Sequence, residues 1–493
     1  MTFRPEDGFP LSEIPKTYAA DMGDTVVVRA DADTLTWEQL YRRSNSMARG
    51  LIAAGAAPGR IVTLLLPNST DLIVSVFACY KAGATPQVLS PRTTPAERDA
   101  ILKIGAPAVV VVEPDGPVDD PAGAVTVLDL SDGQPDADME PRLATSWKAP
   151  TSGGSTGRPK IIISGRPAVT SGFDPDVWGI EPGDHSLITA PLHHNAPFGT
   201  AMSTIFLGGS VTLLTRFDAE RTLATIDEYE VTWVYLVPTM MRRIMALPDE
   251  VRRRYSLHSL RSAWHCAEPC PAWLKRKWIE WLGPERLWEL YAGTEAEAGC
   301  TIRGDEWLAH VGSVGQVTWG EMKLLDPDGN EITSPETSGE VFMRVSPGTD
   351  ATYYYIGAEP HTRDGWSSLG DMGRFDADGY LYLHDRRSDM ITVGGVNVYP
   401  AEVEAALIEH EQVLTAVLIG LPDADTGNRL HAIVQTPESG GATEAELRGF
   451  LADRLSRYKQ PATIELVHQS LRDDAGKVRR SALRAERITK VSP

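Results

Sequence analysis

The sequence predicts an α/β protein. A large N-terminal domain holds two α/β subdomains and a small antiparallel β-barrel or meander, and a small α+β domain follows. Three observations carry this. Apolar segments of strand length alternate with helical patterns in two separate regions, a Gly/Asp-punctuated β stretch fills about 311–386, and mixed patterning returns after Arg386. Strands that are apolar throughout and alternate with helices mark a parallel sheet covered on both faces. The chain of 493 residues also exceeds one ordinary domain.

In order, Thr36 caps a helix over 35–56 that carries Leu40, Tyr41, Met47, Ala48 and Leu51 and closes at Gly55. A buried strand at 61–66, a helix at 69–82 ended by Gly83, a strand near 86–90, a helix around 95–105 and a strand at 108–112 complete the first unit. The second repeats the rhythm without repeating the sequence: a strand at 185–190, a helix after Pro197, a strand at 210–214, a helix from Asp218 and a strand at 233–237. The turns DPDGN at 326–330 and DADG at 376–379 punctuate the antiparallel region. Beyond it lie a strand at 390–393, a helix at 400–410, a strand at 415–419, a helix from Thr443 to about Tyr458, and a short tail. A short, hinge-like boundary is expected near 386–389, dividing the chain into 1–386 and 387–493.

Composition narrows the function. With 67 acidic and 47 basic residues the net charge is −20, a field that repels nucleic acid and anionic membranes. The charge is unevenly spread. Residues 454–493 hold ten Lys/Arg against four Asp/Glu, net +6, leaving −26 on the other 453. The basic end therefore suits phosphate-bearing small molecules. Cys79, Cys266, Cys270 and Cys300 form no C-x-x-C pair, and no paired histidines complete a zinc site. Free thiols, no apolar leader and no membrane-length segment indicate a cytoplasmic protein.

Several segments carry chemistry. Ser152, Gly153, Gly154, Ser155, Thr156, Gly157 and Lys160 combine free backbone N–H groups, hydroxyls and a cation suited to phosphates. The Walker spacing fails, and a strand rather than a helix follows. Tyr291-Ala292-Gly293-Thr294-Glu295 offers a hydroxyl and a carboxylate for a Mg²⁺–phosphate. Asp371 suits a ribose diol and Arg386 a phosphate; Gly394-Gly395 and the Asp473–Lys477 turn follow.

In this order the motifs resemble the adenylate-forming superfamily of acyl-CoA synthetases, peptide-synthetase adenylation domains and luciferases, over about 25–485. SGGSTGRPK, GSVG at 312–315, YIGAE at 355–359 and LRDDAGKVRRSALR look most like actinobacterial ligases of the bile-acid and steroid-acid type. The resemblance implies two steps: a carboxylate and ATP give acyl-AMP and pyrophosphate, and a thiol, usually CoA, then displaces AMP. By position, Ser152 to Lys160 would hold the β- and γ-phosphates, and Thr294 and Glu295 the α-phosphate and Mg²⁺. Asp371 and Arg386 would bind the ribose and phosphate. Lys477 would stabilise charge growing on the carboxylate and α-phosphate. The C-terminal domain would be mobile about Ser388, withdrawing Lys477 and bringing in the Gly394–Asn397 segment for the second step.

The resemblance also places His194 as the gate of the acyl pocket, with Asn195 beside it. Amino-acid-activating relatives carry an aspartate shortly afterwards, whereas this chain reads Ala196 to Met202 without an acid. Phe198, Tyr235, Val237, Trp264 and Tyr291 are candidate walls for a bulky apolar or polycyclic acid, and equally serviceable as core. Ala267 and Glu268 stand where the family lays a small apolar stretch against adenine, so that the Glu268 carboxylate either hydrogen-bonds the adenine amino group or crowds and repels the nucleotide, and Ala292 replaces a customary glycine. Both departures predict weakened adenylation with thioester formation preserved. Alternatives are a thioester-forming half-enzyme using preformed acyl-AMP, an acyl-AMP ligase loading a carrier protein, and a non-catalytic adenylate-binding protein. Oligomeric state is left open.

Overall fold

The computed structural model describes residues 8–113, 123–153, 159–171, 175–386, 391–393, 396–423, 426–473 and 476–491. Its centre is a nine-stranded sheet. Six strands are parallel, in the order Leu287–Ala292, Ser262–His265, Trp233–Leu236, His185–Ile188, Ser210–Leu213 and Val26–Ala30. Antiparallel strands finish both edges: Asp33–Thr36 on one side, Gly299–Arg303 and Gln316–Trp319 on the other. Sequence patterning expects the middle unit but not that the N-terminal strand Val26–Ala30 joins its sheet. That pairing spans nearly two hundred residues and leaves no local periodic trace.

The first α/β unit forms a four-stranded parallel sheet, Thr85–Val88, Ile61–Leu65, Val109–Val112 and Val125–Thr126. Its helices begin as the residues dictate. Thr36 Oγ1 accepts from Gln39 N at 3.3 Å while Gln39 Oε1 accepts from Thr36 N at 2.9 Å, a reciprocal cap on Trp37–Ala53. Gly83 ends Thr70–Ala82 at φ +80°, a left-handed turn where a Cβ would also stand 2.8 Å from Arg142 Cβ. Helix Asn195–Phe206 starts before Pro197, with His194 at its N-cap, so the expected onset moves toward the histidines.

From 316 to 386 the strands are antiparallel as expected. Glu331–Ile332, Glu321–Leu325, Gly339–Arg344, Trp366–Phe375 and His361–Arg363 pair in an open order, and Leu381–Arg386 adds to Trp366–Phe375. The expected boundary falls on residues 387–390, outside the described residues. Beyond it, apolar side chains from Ile391 to Ile488 form two clusters of their own, separate from those of the preceding chain. Thr415–Asp423 pairs antiparallel with Gly427–Gln435, which pairs parallel with Thr463–Val467. The helix expected to reach Tyr458 stops at Ala452, and the expected tail is instead the helix Arg480–Val491. There Leu483 and Ile488 cover the sheet while arginines fill the remaining faces.

Candidate active site

A β-hairpin presents the Gly-rich segment. Thr151–Gly153 pairs with Pro159–Ser164, setting Ser152 opposite Lys160 and Gly153 opposite Pro159. Gly154, Ser155, Thr156 and Gly157 lie outside the described residues. From the hairpin, Lys160 Nζ donates to Glu295 Oε1 at 3.1 Å and lies 3.9 Å above the Tyr355 ring. Tyr355 reaches the same oxygen with its hydroxyl at 2.5 Å, because its strand Tyr353–Ile356 pairs with Pro159–Ser164. Burial and Glu295 push the Tyr355 hydroxyl far up, so it stays a donor. Thr352 Oγ1 donates to the Glu295 carbonyl at 2.6 Å, fixing the backbone as well.

Glu295 Oε1 is thus doubly occupied, while Oε2 accepts no hydrogen bond from the described residues. That open carboxylate oxygen and the hydroxyl of Thr294, its neighbour in sequence, belong to the hard donor set Mg²⁺ prefers, so these residue types fit the ion. Gly293 makes the approach possible. A Cβ there would stand 2.5 Å from Leu369 Cδ1 and 2.9 Å from Glu295 Oε2. Ala292 closes strand Leu287–Ala292, opposite Gly299. Two residues before Gly293, the Tyr291 hydroxyl donates to Asp371 Oδ2 at 2.7 Å. Asp371 sits opposite Arg386 in the cross-strand register, which brings the two expected ribose-binding positions together.

The His194 ring packs against His193 with centroids 4.1 Å apart and the planes tilted by 45°. Burial, with His193 and Lys477 nearby, holds its pKa well below the usual imidazole range, so it is neutral. The charge of Lys477 acts on both His194 and Cys266, so the C-terminal lysine lies within electrostatic reach of these N-terminal residues. Its turn is tied by Lys477 N donating to Asp473 Oδ1 at 2.9 Å and Asp473 N donating to Lys477 O at 3.0 Å. Glu268 follows Ala267, which takes φ +73°, and its Oε2 accepts from Thr239 Oγ1 at 2.8 Å.

Asn195 and Phe198 border a small cavity together with Lys148, His193, His194 and Leu192. The other expected wall residues are deeply packed. Tyr235, Val237 and Trp264 expose 2%, 1% and 2% of their surfaces. Trp264 stacks on Trp288 at 5.1 Å and meets Trp178 at 5.5 Å, and the Tyr235 hydroxyl meets Cys266 Sγ at 3.4 Å. Gly394, Gly395 and Ser388 lie outside the described residues.

Sequence reasoning misses Lys148. Its ammonium donates to Asn195 Oδ1 and lies 4.3 Å above the Trp147 ring. Burial, with Arg166 nearby, lowers its pKa to about 7. The available signal was a lysine four residues before the Gly-rich segment, with nothing to predict its partner.

Comparison with known proteins agrees with this geometry. Residues 16–354 match the AMP-binding enzyme family and 402–477 match the AMP-binding enzyme C-terminal domain. A feruloyl-CoA synthase from Amycolatopsis sp. is 32% identical over 480 residues, covering 93% of this chain and 95% of that one. A fatty acid–[acyl-carrier-protein] ligase from Streptomyces coeruleorubidus is 30% identical, with 93% of each chain covered. The fold matches o-succinylbenzoate CoA synthetase from Bacillus subtilis, solved with its acyl-adenylate, at a TM-score of 0.82 and 24% identity, covering 96% and 98% of the two chains. No helix of the described residues is long and apolar enough to cross a membrane. The chain belongs to the AMP-binding enzymes, in the acyl-CoA synthetase branch of the adenylate-forming superfamily, and is an AMP-forming acid–thiol ligase that uses ATP, Mg²⁺ and CoA.

Proposed function

We propose that this ligase activates a bulky apolar carboxylic acid, polycyclic, terpenoid or steroid-like, and transfers it to CoA. The observation that carries the substrate class is the start of helix Asn195–Phe206. It presents Ala196, Pro197 and Phe198 with no acid to pair a substrate ammonium, next to a neutral His194. An apolar acyl group entering there loses no hydrogen bond and gains buried contact.

In the first step a carboxylate oxygen of the acid bonds to the α-phosphorus of ATP as the bond to the bridging oxygen breaks and pyrophosphate leaves. Lys477, within electrostatic reach of His194, neutralises the charge that gathers on the pentavalent phosphorus. Thr294 and the open oxygen of Glu295 would hold Mg²⁺, which when bound would supply charge neutralisation to the phosphates. Lys160 on the hairpin adds a second cation, and Asp371, held by Tyr291, receives the ribose hydroxyls. In the second step the thiolate sulfur of CoA bonds to the acyl carbonyl carbon and AMP departs with the electron pair of the broken C–O bond. Turning of the C-terminal domain about Ser388 removes Lys477 and admits the Gly394–Gly395 segment between the steps. Four free cysteines suit the reducing cytoplasm.

Two other readings remain outcomes of the test. The similarity to a carrier-protein ligase motivates a protein-borne thiol, and Glu268 with Ala292 motivates weak adenylation with efficient thioester formation. Purified enzyme is offered steroid, terpenoid, aromatic and fatty acids with ATP and CoA, and products are identified by mass spectrometry. Acyl-CoA from the polycyclic acids supports the proposal; acyl-CoA only from small aromatic or straight-chain acids refutes the substrate class. Acyl-AMP with no acyl-CoA favours the carrier protein.

A further inference from the structure

We infer that Glu268 is a positioning residue for Lys477: its carboxylate is the seat on which the Lys477 turn closes against the N-terminal domain. The inference rests on the reading that Lys477 serves the adenylation step.

Two contacts converge on this carboxylate, one from each domain. Thr239 anchors Oε2 at 2.8 Å. Oε1 is buried and accepts no hydrogen bond from the described residues. Gly476, the residue before Lys477, lies directly against it: a Cβ at Gly476 would fall 1.4 Å from Oε1, at a backbone φ of +78°. Only glycine combines that turn with that approach. Arg472 splints the turn from the C-terminal side, its Nη1 donating to Gly476 O at 2.8 Å and its Nε to Thr415 Oγ1 at 3.1 Å.

Arg472 also acts by charge on Glu268, and so does Arg242 from helix Pro238–Met245. Arg242 in turn donates to the carbonyl of Val413 at 3.2 Å, across the same seam. The buried carboxylate therefore lies among one guanidinium from each domain. When the C-terminal domain turns away, Glu268 loses Arg472 and Gly476 together. A buried charge stripped of its partner is unfavourable, so the arrangement favours the closed placement of Lys477. From the sequence alone Glu268 is expected either to hydrogen-bond the adenine amino group or to crowd the nucleotide. Here the same side chain is turned under the Lys477 turn, and its removal is expected to slow adenylation.

Glu268→Ala and Glu268→Gln are compared with the unaltered enzyme in three assays. Acid-dependent ATP–pyrophosphate exchange reads adenylation, and thioester formation from synthetic acyl-AMP and CoA reads the second step. Cross-linking by a short bismaleimide between cysteines placed at Glu97 and Arg479, whose side chains meet at 3.2 Å across the seam, reads closure without any substrate. The expected result is a roughly tenfold fall in exchange rate and in cross-linking rate, an unchanged KM for the acid, and a second step as fast or faster. A change in cross-linking without any measurable exchange by the unaltered enzyme would sink the assignment of Lys477 but not the seat. Exchange that rises in Glu268→Ala, or cross-linking that does not change, overturns the inference. Equal loss in both half-reactions with a lowered Tm also overturns it, by showing a role in folding alone.

Discussion

Lys160 and Glu295 meet at 3.1 Å across the gap between the Gly-rich hairpin and the Tyr291–Glu295 motif, with the Tyr355 hydroxyl on the same carboxylate oxygen. The pair joins two motifs separated by 135 residues and leaves the other Glu295 oxygen open. On the proposed mechanism the open oxygen would take the metal, while the other holds the two motifs together.

Glu295→Gln keeps the shape and removes the charge. Pyrophosphate exchange is expected to fall by about 10²–10³, the range seen when one preorganised electrostatic group is lost, and its Mg²⁺ dependence should shift to higher concentration. Gly293→Ala should produce the same Mg²⁺ shift, because its methyl would press on Leu369 and Glu295 Oε2. An Mg²⁺ titration of exchange checks both; unchanged half-saturation would remove Glu295 from the metal site.

Lys477→Ala should separate the half-reactions. Adenylation is expected to drop by about 10²–10³, while thioester formation from preformed acyl-AMP stays within a few-fold of the unaltered enzyme. Single-turnover assays of each step measure this, and equal losses would contradict the role given to the Lys477 turn.

Lys148 makes a pH prediction. Its folded pKa of about 7 lies below the ordinary lysine value of 10.5. Between those values the unfolded chain binds a proton that the folded protein does not, so this group's contribution to stability rises with pH across the window. Below pH 7 both states are protonated and the full cost of burying the charge is present. Lys148→Met should therefore raise Tm relative to the unaltered protein most near pH 6–7, and the difference should shrink toward pH 10. Thermal melts of both proteins across that range check it; a constant difference would show that Lys148 is not desolvated.

Lys275 and Glu289 form a buried ion pair at 2.5 Å beneath strand Ser262–His265, with the fully buried His265 beside them. Burial and Lys275 keep that imidazole neutral. Lys275→Met alone strands the carboxylate and is expected to cost about 3–5 kcal/mol. Adding Glu289→Leu should recover much of the loss. Urea denaturation of the single and double variants measures both, and additive losses would refute the pairing.

Much of this fold is legible because its signals are local. Thr36 and Gln39 announce a helix start within four residues, and the run at 61–65, apolar but for Thr63, reads as a doubly covered strand. The site motifs are legible for the same reason, each being a contiguous run such as Tyr291–Glu295. What escapes is the pairing of distant segments. Nothing near Lys148 names Asn195, nothing near Glu268 names Gly476 or Arg472, and nothing in Val26–Ala30 names Val211–Leu213. The C-terminal helix Arg480–Val491 is missed because its four basic residues hide the apolar stripe that covers the sheet. Glu268 shows the cost most clearly: its identity is plain in the sequence, while the residue it touches lies 208 positions away.

The central claim, that one chain carries out both steps on a bulky apolar acid, is tested most directly by mass-spectrometric analysis of a single incubation. Enzyme, a polycyclic carboxylic acid, ATP, Mg²⁺ and CoA should give the acyl-CoA thioester with AMP and pyrophosphate in equal amounts. Acyl-CoA formed only when acyl-AMP is supplied, with no AMP or pyrophosphate released from ATP by any acid of the panel, would contradict it.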